Sequence, residues 1–125
     1  MKFRSSLANL VLCGAALLPI ASTAQNLAYA IKDLGTLGGA MSCAYSVNNE
    51  RQIVGESINW AGNLHSFLYS QGALTDLGAV TDPWSIAKSI NKHGDIVGYA
   101  LFTTVGSYHA FLYKNGTMKD LSVRK

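Results

Sequence analysis

Histidines stand at positions 65 and 109, each opening nearly the same phrase: HSFLYSQGALTDL over residues 65–77 and HAFLYKNGTMKDL over residues 109–121. Paired imidazoles invite a zinc reading, because nitrogen ligands with a carboxylate or two complete a tetrahedral site. The spacing argues against it: His65 and His109 are 44 residues apart, with no acid read at a regular offset beside either. A hydrogen bond within its own repeat is the expected role of each. Asp33, Asp76 and Asp120 recur in the same way. Calcium asks for roughly six to eight oxygens, usually from acids at short alternate spacing, and these carboxylates stand alone. They are read as turn-stabilising side chains.

Other candidates carry less. The GTLGG run at residues 35–39 lacks the Lys-Ser/Thr ending and following helix of a phosphate loop, so it reads as a turn. Ser42 and Ser85 lie in no nucleophile elbow. Cys43 has no neighbouring base or acid in sequence and reads as a small buried hydrophobe. Trp60, Trp84 and Tyr108 could form a sugar-stacking surface, although aromatics of this kind more often serve packing. No catalytic residue, metal or cofactor is expected.

These side chains must be held by repeated elements. From Asp33 and from Asp76 the chain runs in register: Asn48 with Asn91, Ile53-Val54-Gly55 with Ile96-Val97-Gly98, and Phe67-Leu68-Tyr69 with Phe111-Leu112-Tyr113. The offset is 43 residues up to Gly55 and 44 from His65 onward. Leu34, Leu77 and Leu121 follow the three aspartates, and Gly72 matches Gly116. Repeat 1 is therefore set at residues 33–75, repeat 2 at 76–119, and the start of a third, truncated unit at 120–125. Within each unit, CAYSVN or IAKSIN leads through a polar cluster to IVG and its return strand, then to HSFLY or HAFLY and a last short strand. The turn before this last strand is Gln71-Gly72 in one repeat and Asn115-Gly116 in the other, and Asn-Gly tolerates the positive φ at both central residues that a type I′ hairpin needs. Alternation in Phe111 and Leu112 sends these side chains to opposite faces. The expected fold is all-β, with about four antiparallel strands per repeat, the size of one propeller blade. Propellers usually close with about four to eight blades, so two units predict an incomplete or self-associating propeller.

The N-terminus reads as an export signal: Lys2 and Arg4, the apolar run SLANLVLCGAALLPIA, then small residues before a cut between Ala24 and Gln25. A signal helix over residues 1–24 and a mature N-terminal segment over 25–32 follow, with a cut after Ala30 as an alternative. Leu12 before Cys13 argues against a lipoprotein. The ten basic and seven acidic residues of the whole chain give a net charge of +3. Removing Lys2 and Arg4 leaves +1, without a basic stripe to follow phosphates, so nucleic acid is not an expected partner. The expected location is secreted or periplasmic, with membrane contact only through the export signal.

The combination of DLGTLGG, Asn48-Asn49 followed by IVG, and HAFLY with Gly and Asp-Leu behind it resembles the HAF repeat of bacterial extracellular proteins, named for the triplet His109-Ala110-Phe111. The resemblance spans residues 33–121. It implies an exported protein of several such repeats and carries no defined molecular activity. Ser66 replaces the alanine of the triplet, Arg51 stands where the turn usually has glycine, and Val80-Thr81-Asp82-Pro83 replaces TLGG. The expected role is structural or binding, toward a saccharide, a surface protein or further copies of the chain. The alternative is a non-catalytic fragment of an extracellular carbohydrate- or peptide-active enzyme.

Overall fold

The computed structural model describes residues 28–78 and 83–122. The signal segment with its cut at Ala24–Gln25, residues 79–82 of the connection between repeats, and residues 123–125 lie outside them. The chain divides into residues 1–32 and 33–125. The eight strands found among the described residues all fall in the second unit.

They form two four-stranded antiparallel meanders. Sheet 1 runs β1 (Gly38–Val47), β2 (Ile53–Asn59), β3 (Leu64–Ser70) and β4 (Ala73–Asp76), and sheet 2 runs β5 (Ser85–Ile90), β6 (Ile96–Phe102), β7 (Ser107–Lys114) and β8 (Thr117–Asp120). The expected all-β architecture with four strands per repeat is what the chain adopts.

The turns explain the repeated polar residues. Asn48 Oδ1 accepts the amides of Glu50 and Gln52, and Asn91 Oδ1 accepts those of His93 and Asp95, so one side chain closes each first hairpin. Gln71 and Gly72 have φ of 51° and 87°, and Asn115 and Gly116 have 51° and 77°, as a type I′ turn requires. The second hairpins differ. In repeat 1 Asn59 Oδ1 accepts the amides of Ala61 and Asn63, whereas in repeat 2 the Phe102 carbonyl accepts those of Val105 and Gly106. That change absorbs the extra residue of repeat 2.

A bulge interrupts the first strand pair at the same place in both sheets, between Ala44 and Ser46 and between Ala87 and Ser89. Just beside it the backbone of β1 or β5 presses on the glycine of IVG. A Cβ on Gly55 would run into the Cys43 carbonyl, and one on Gly98 into that of Ile86. Both sheets need glycine there.

Directly opposed residues share a face. In sheet 1, Val54 opposes Leu68 and Glu56 opposes Ser66, while Ile53, Gly55 and Ser57 oppose Tyr69, Phe67 and His65 on the other side. In sheet 2, Ile96, Gly98 and Ala100 oppose Tyr113, Phe111 and His109, leaving Val97 with Leu112 and Tyr99 with Ala110. One face from each sheet makes the joint. Val54 and Leu77, with Leu68 beside them, pack against Ala87, Ile90, Ile96, Ala100 and Phe111. Burying each larger member stabilises by about 1.5–3 kcal/mol.

Polar bonds set the register of the joint. Ser46 Oγ accepts the Ile90 amide at 3.3 Å, Ser85 Oγ accepts the Ser66 amide at 2.9 Å, and Asn48 Nδ2 donates to the Asn91 carbonyl at 3.0 Å. Lys88 places its ammonium 3.9 Å from the centre of the Tyr45 ring.

Candidate functional site

His65 and His109 sit at equivalent places on β3 and β7, and the final strand of each sheet brings an aspartate beside them. His65 Nδ1 lies 2.9 Å from both carboxylate oxygens of Asp76. His109 Nδ1 lies 2.7 Å from Asp120 Oδ2. The sequence reading that no acid stands at a regular offset is corrected here: each aspartate follows its histidine by 11 residues. A type I′ hairpin folds that interval back, so distant positions become cross-strand neighbours. The constant interval was visible in the sequence, but it becomes a contact only once the turn is placed.

Each aspartate also holds the turn that follows it. Asp33, Asp76 and Asp120 accept through Oδ1 the amides of Gly35, Gly78 and Ser122. A carboxylate thus braces its own turn and, in both complete repeats, orients an imidazole through Nδ1. Burial works against ionisation of Asp120, but the Ser122 hydroxyl, His109 and the Ser122 amide outweigh it and hold the carboxyl below its ordinary value.

The second brace carries one more group. Ser107 Oγ stands 2.8 Å from His109 Nε2, completing a serine–histidine–aspartate chain with the order of contacts found in acyl-transfer triads. The sequence reading weighed Ser42 and Ser85 as nucleophiles and missed Ser107, whose only signal was its place two residues before the histidine on the same strand face. Chemistry would further need oxyanion donors and shelter from water. Ser107 and its neighbours Val105, Gly106 and Tyr108 are exposed, and the Gly106 amide is committed to the Phe102 carbonyl. In repeat 1 the serine position is Asn63, and the Nε2 atom of His65 is buried without a hydrogen-bond partner. The feature common to both repeats is therefore the His–Asp brace alone.

Of the three aromatics considered for ligand stacking, two come together. Trp84 meets Tyr108 edge-on at 5.0 Å and Tyr99 at 5.3 Å. Trp60 is exposed in the β2–β3 turn and lies over Gly38. Cys43 is a free, half-buried thiol. No cluster of three or more His, Cys, Asp or Glu able to hold a metal occurs among the described residues.

A polar pair is built into the joint. Tyr45 donates to Glu56 Oε1 at 2.7 Å, and that hydrogen bond, reinforced by burial, pushes the phenol up to about 12. Glu56 Oε2 and Ser66 Oγ are buried on the same face without hydrogen-bond partners. Ala44, Tyr45, Ser46, Val47 and Ile53 line a shallow, mostly apolar depression of about 380 Å³ at the end of β1.

Comparison with known protein families, curated proteins and solved structures gives no match.

Proposed function

We propose that the chain is an exported repeat protein with a structural or binding role and no catalytic activity of its own. The observation that carries this reading is the accounting of the repeated residues. Asn48 and Asn91 close turns, Gly55 and Gly98 admit a neighbouring carbonyl, the His–Asp pairs brace the last two strands, and Val54, Phe67, Ile96 and Phe111 fill the interior. Little of what the two repeats share is left over for chemistry. The resemblance to HAF repeats and the signal-like N-terminus support export, with a saccharide or surface protein as the ligand class.

One observation favours a hydrolase instead, the Ser107–His109–Asp120 chain. The test is direct: purified protein is offered polysaccharide, peptide and p-nitrophenyl ester panels and treated with a fluorophosphonate probe. The proposal expects no turnover that depends on Ser107 and no labelling of it. Labelling of Ser107 together with turnover lost in Ser107→Ala would overturn the proposal and establish the hydrolase.

A further inference from the structure

Away from the joint, sheet 2 exposes apolar residues across its far face and sheet 1 exposes them along β1, whereas Ser57, His65, Phe67 and Tyr69 on the far face of sheet 1 are buried. Val54 lies in the joint at 0% exposure, while its counterpart Val97 on sheet 2 is 43% exposed. Ile90 lies on the other side of the joint at 7%, while its counterpart Val47 on sheet 1 is 64% exposed. Ala87 is buried and Ala44 exposed in the same relation. An end of a repeat array that faces water is normally capped with polar side chains. Here the apolar residues are kept, and where the joint holds Glu56 and Ser66, the open face of sheet 2 holds Tyr99 and Ala110.

Charge adds a second, independent complement. Inside the joint the Gln52 side chain reaches to 3.4 Å from the place a Cβ on Gly94 would occupy. Their counterparts are Asp95 on repeat 2 and Arg51 on repeat 1. Sheet 2 meeting sheet 1 of another copy in the same register would set Asp95 beside Arg51 of that copy. Arg51 holds φ of 61°, a left-handed conformation costly for an arginine, and it makes no ion pair among the described residues. A charge kept at a strained turn position therefore acquires a partner. In the same register Lys88, which lies over Tyr45 within the chain, faces Tyr45 of the next copy.

We propose that a second copy of this chain docks head to tail, the exposed β1 strand and β1–β2 turn of its sheet 1 against the open face of sheet 2, in the register of the joint between repeats. The contact is heterologous, so it closes into a ring when the rotation allows. With two blade-like sheets per copy, a ring of usual blade number takes roughly two to four copies. Leu121, whose amide bonds the Ala110 carbonyl as that of Leu77 bonds the Ser66 carbonyl, is 55% exposed where Leu77 is buried, and the incoming copy would cover it. The inference deepens the structural half of the function proposed above. It is tested by mass rather than turnover, so either can fail alone.

Full-length protein is measured by light scattering and by sedimentation over a concentration series, alongside Arg51→Asp, Asp95→Arg, the double variant and Val97→Lys. The expected wild-type mass is that of two to four copies. Each single charge reversal weakens association by about tenfold or more, the double variant recovers it, and Val97→Lys abolishes it, with circular dichroism confirming that each variant remains folded. A wild-type monomer throughout the series would overturn the proposal. So would an assembly insensitive to all three positions.

Discussion

Val54 and Val97 are the same residue at the same place in two repeats, and the account assigns them different energies. Substituting Val54 by alanine removes two carbons from full burial, a transfer loss of about 1.6 kcal/mol, and the unfilled space raises the total to about 2.5 kcal/mol. Val97 is 43% exposed, so the same substitution in an isolated chain forfeits about 0.9 kcal/mol of transfer, with solvent occupying the vacated space. Urea unfolding of both variants, followed by far-UV circular dichroism at high dilution and extrapolated linearly, measures the difference. A gap of about 1.5 kcal/mol is expected, narrowing as protein concentration rises and head-to-tail contact covers Val97. Equal losses at high dilution would refute the assignment of Val54 to the joint and Val97 to the open face.

Gly98→Ala forces the β5 and β6 backbones apart at the bulge and should cost about 3 kcal/mol, read as a shifted urea midpoint. Arg51→Gly relieves the left-handed arginine and should raise the stability of the dilute chain by about 1 kcal/mol while weakening association, a pair of opposite readouts on one substitution. Acid stability follows two carboxyls held below the ordinary aspartate value: Asp95, through the Asn91 amide with Lys114 adding, and Asp120, through Ser122 and His109 against the pull of burial. Since the folded state favours their ionised forms, their contribution is complete above the ordinary value of 3.8 and is lost as pH falls through the lower folded values. Melting temperature should therefore stay level down to that region and fall below it, less steeply in Asp120→Asn.

Much of the architecture could be read from the chain because the signals are local. Asn115-Gly116 needs only its own two φ angles to define a hairpin, and the alternation in HAFLY needs only the pleat to divide Phe111 from Leu112. Repetition then supplied the rest of the strand order. The His–Asp braces escaped because an interval of 11 residues means nothing until the intervening turn is drawn. Ser107 escaped for a related reason: its partner Nε2 atom is aimed by Asp120, so the serine becomes notable only after the brace is in place. The glycine of IVG could be aligned but not explained, since its cause is a bulge on the neighbouring strand. Least accessible was the asymmetry of exposure. Identical valines at 54 and 97 carry no mark of which is covered, and only the packing of sheet 2 on sheet 1 separates them.

The contact between copies is tested most directly by joining its two sides. In a Cys13→Ser, Cys43→Ser background, Arg51→Cys and Asp95→Cys are made in separate chains, mixed, and treated with a short bismaleimide. The account predicts a cross-linked pair in the mixture, with positions 51 and 95 joined in the peptide map, and no such product from either chain alone. A mixture that yields no cross-link between these two positions while both introduced thiols remain reactive would contradict it.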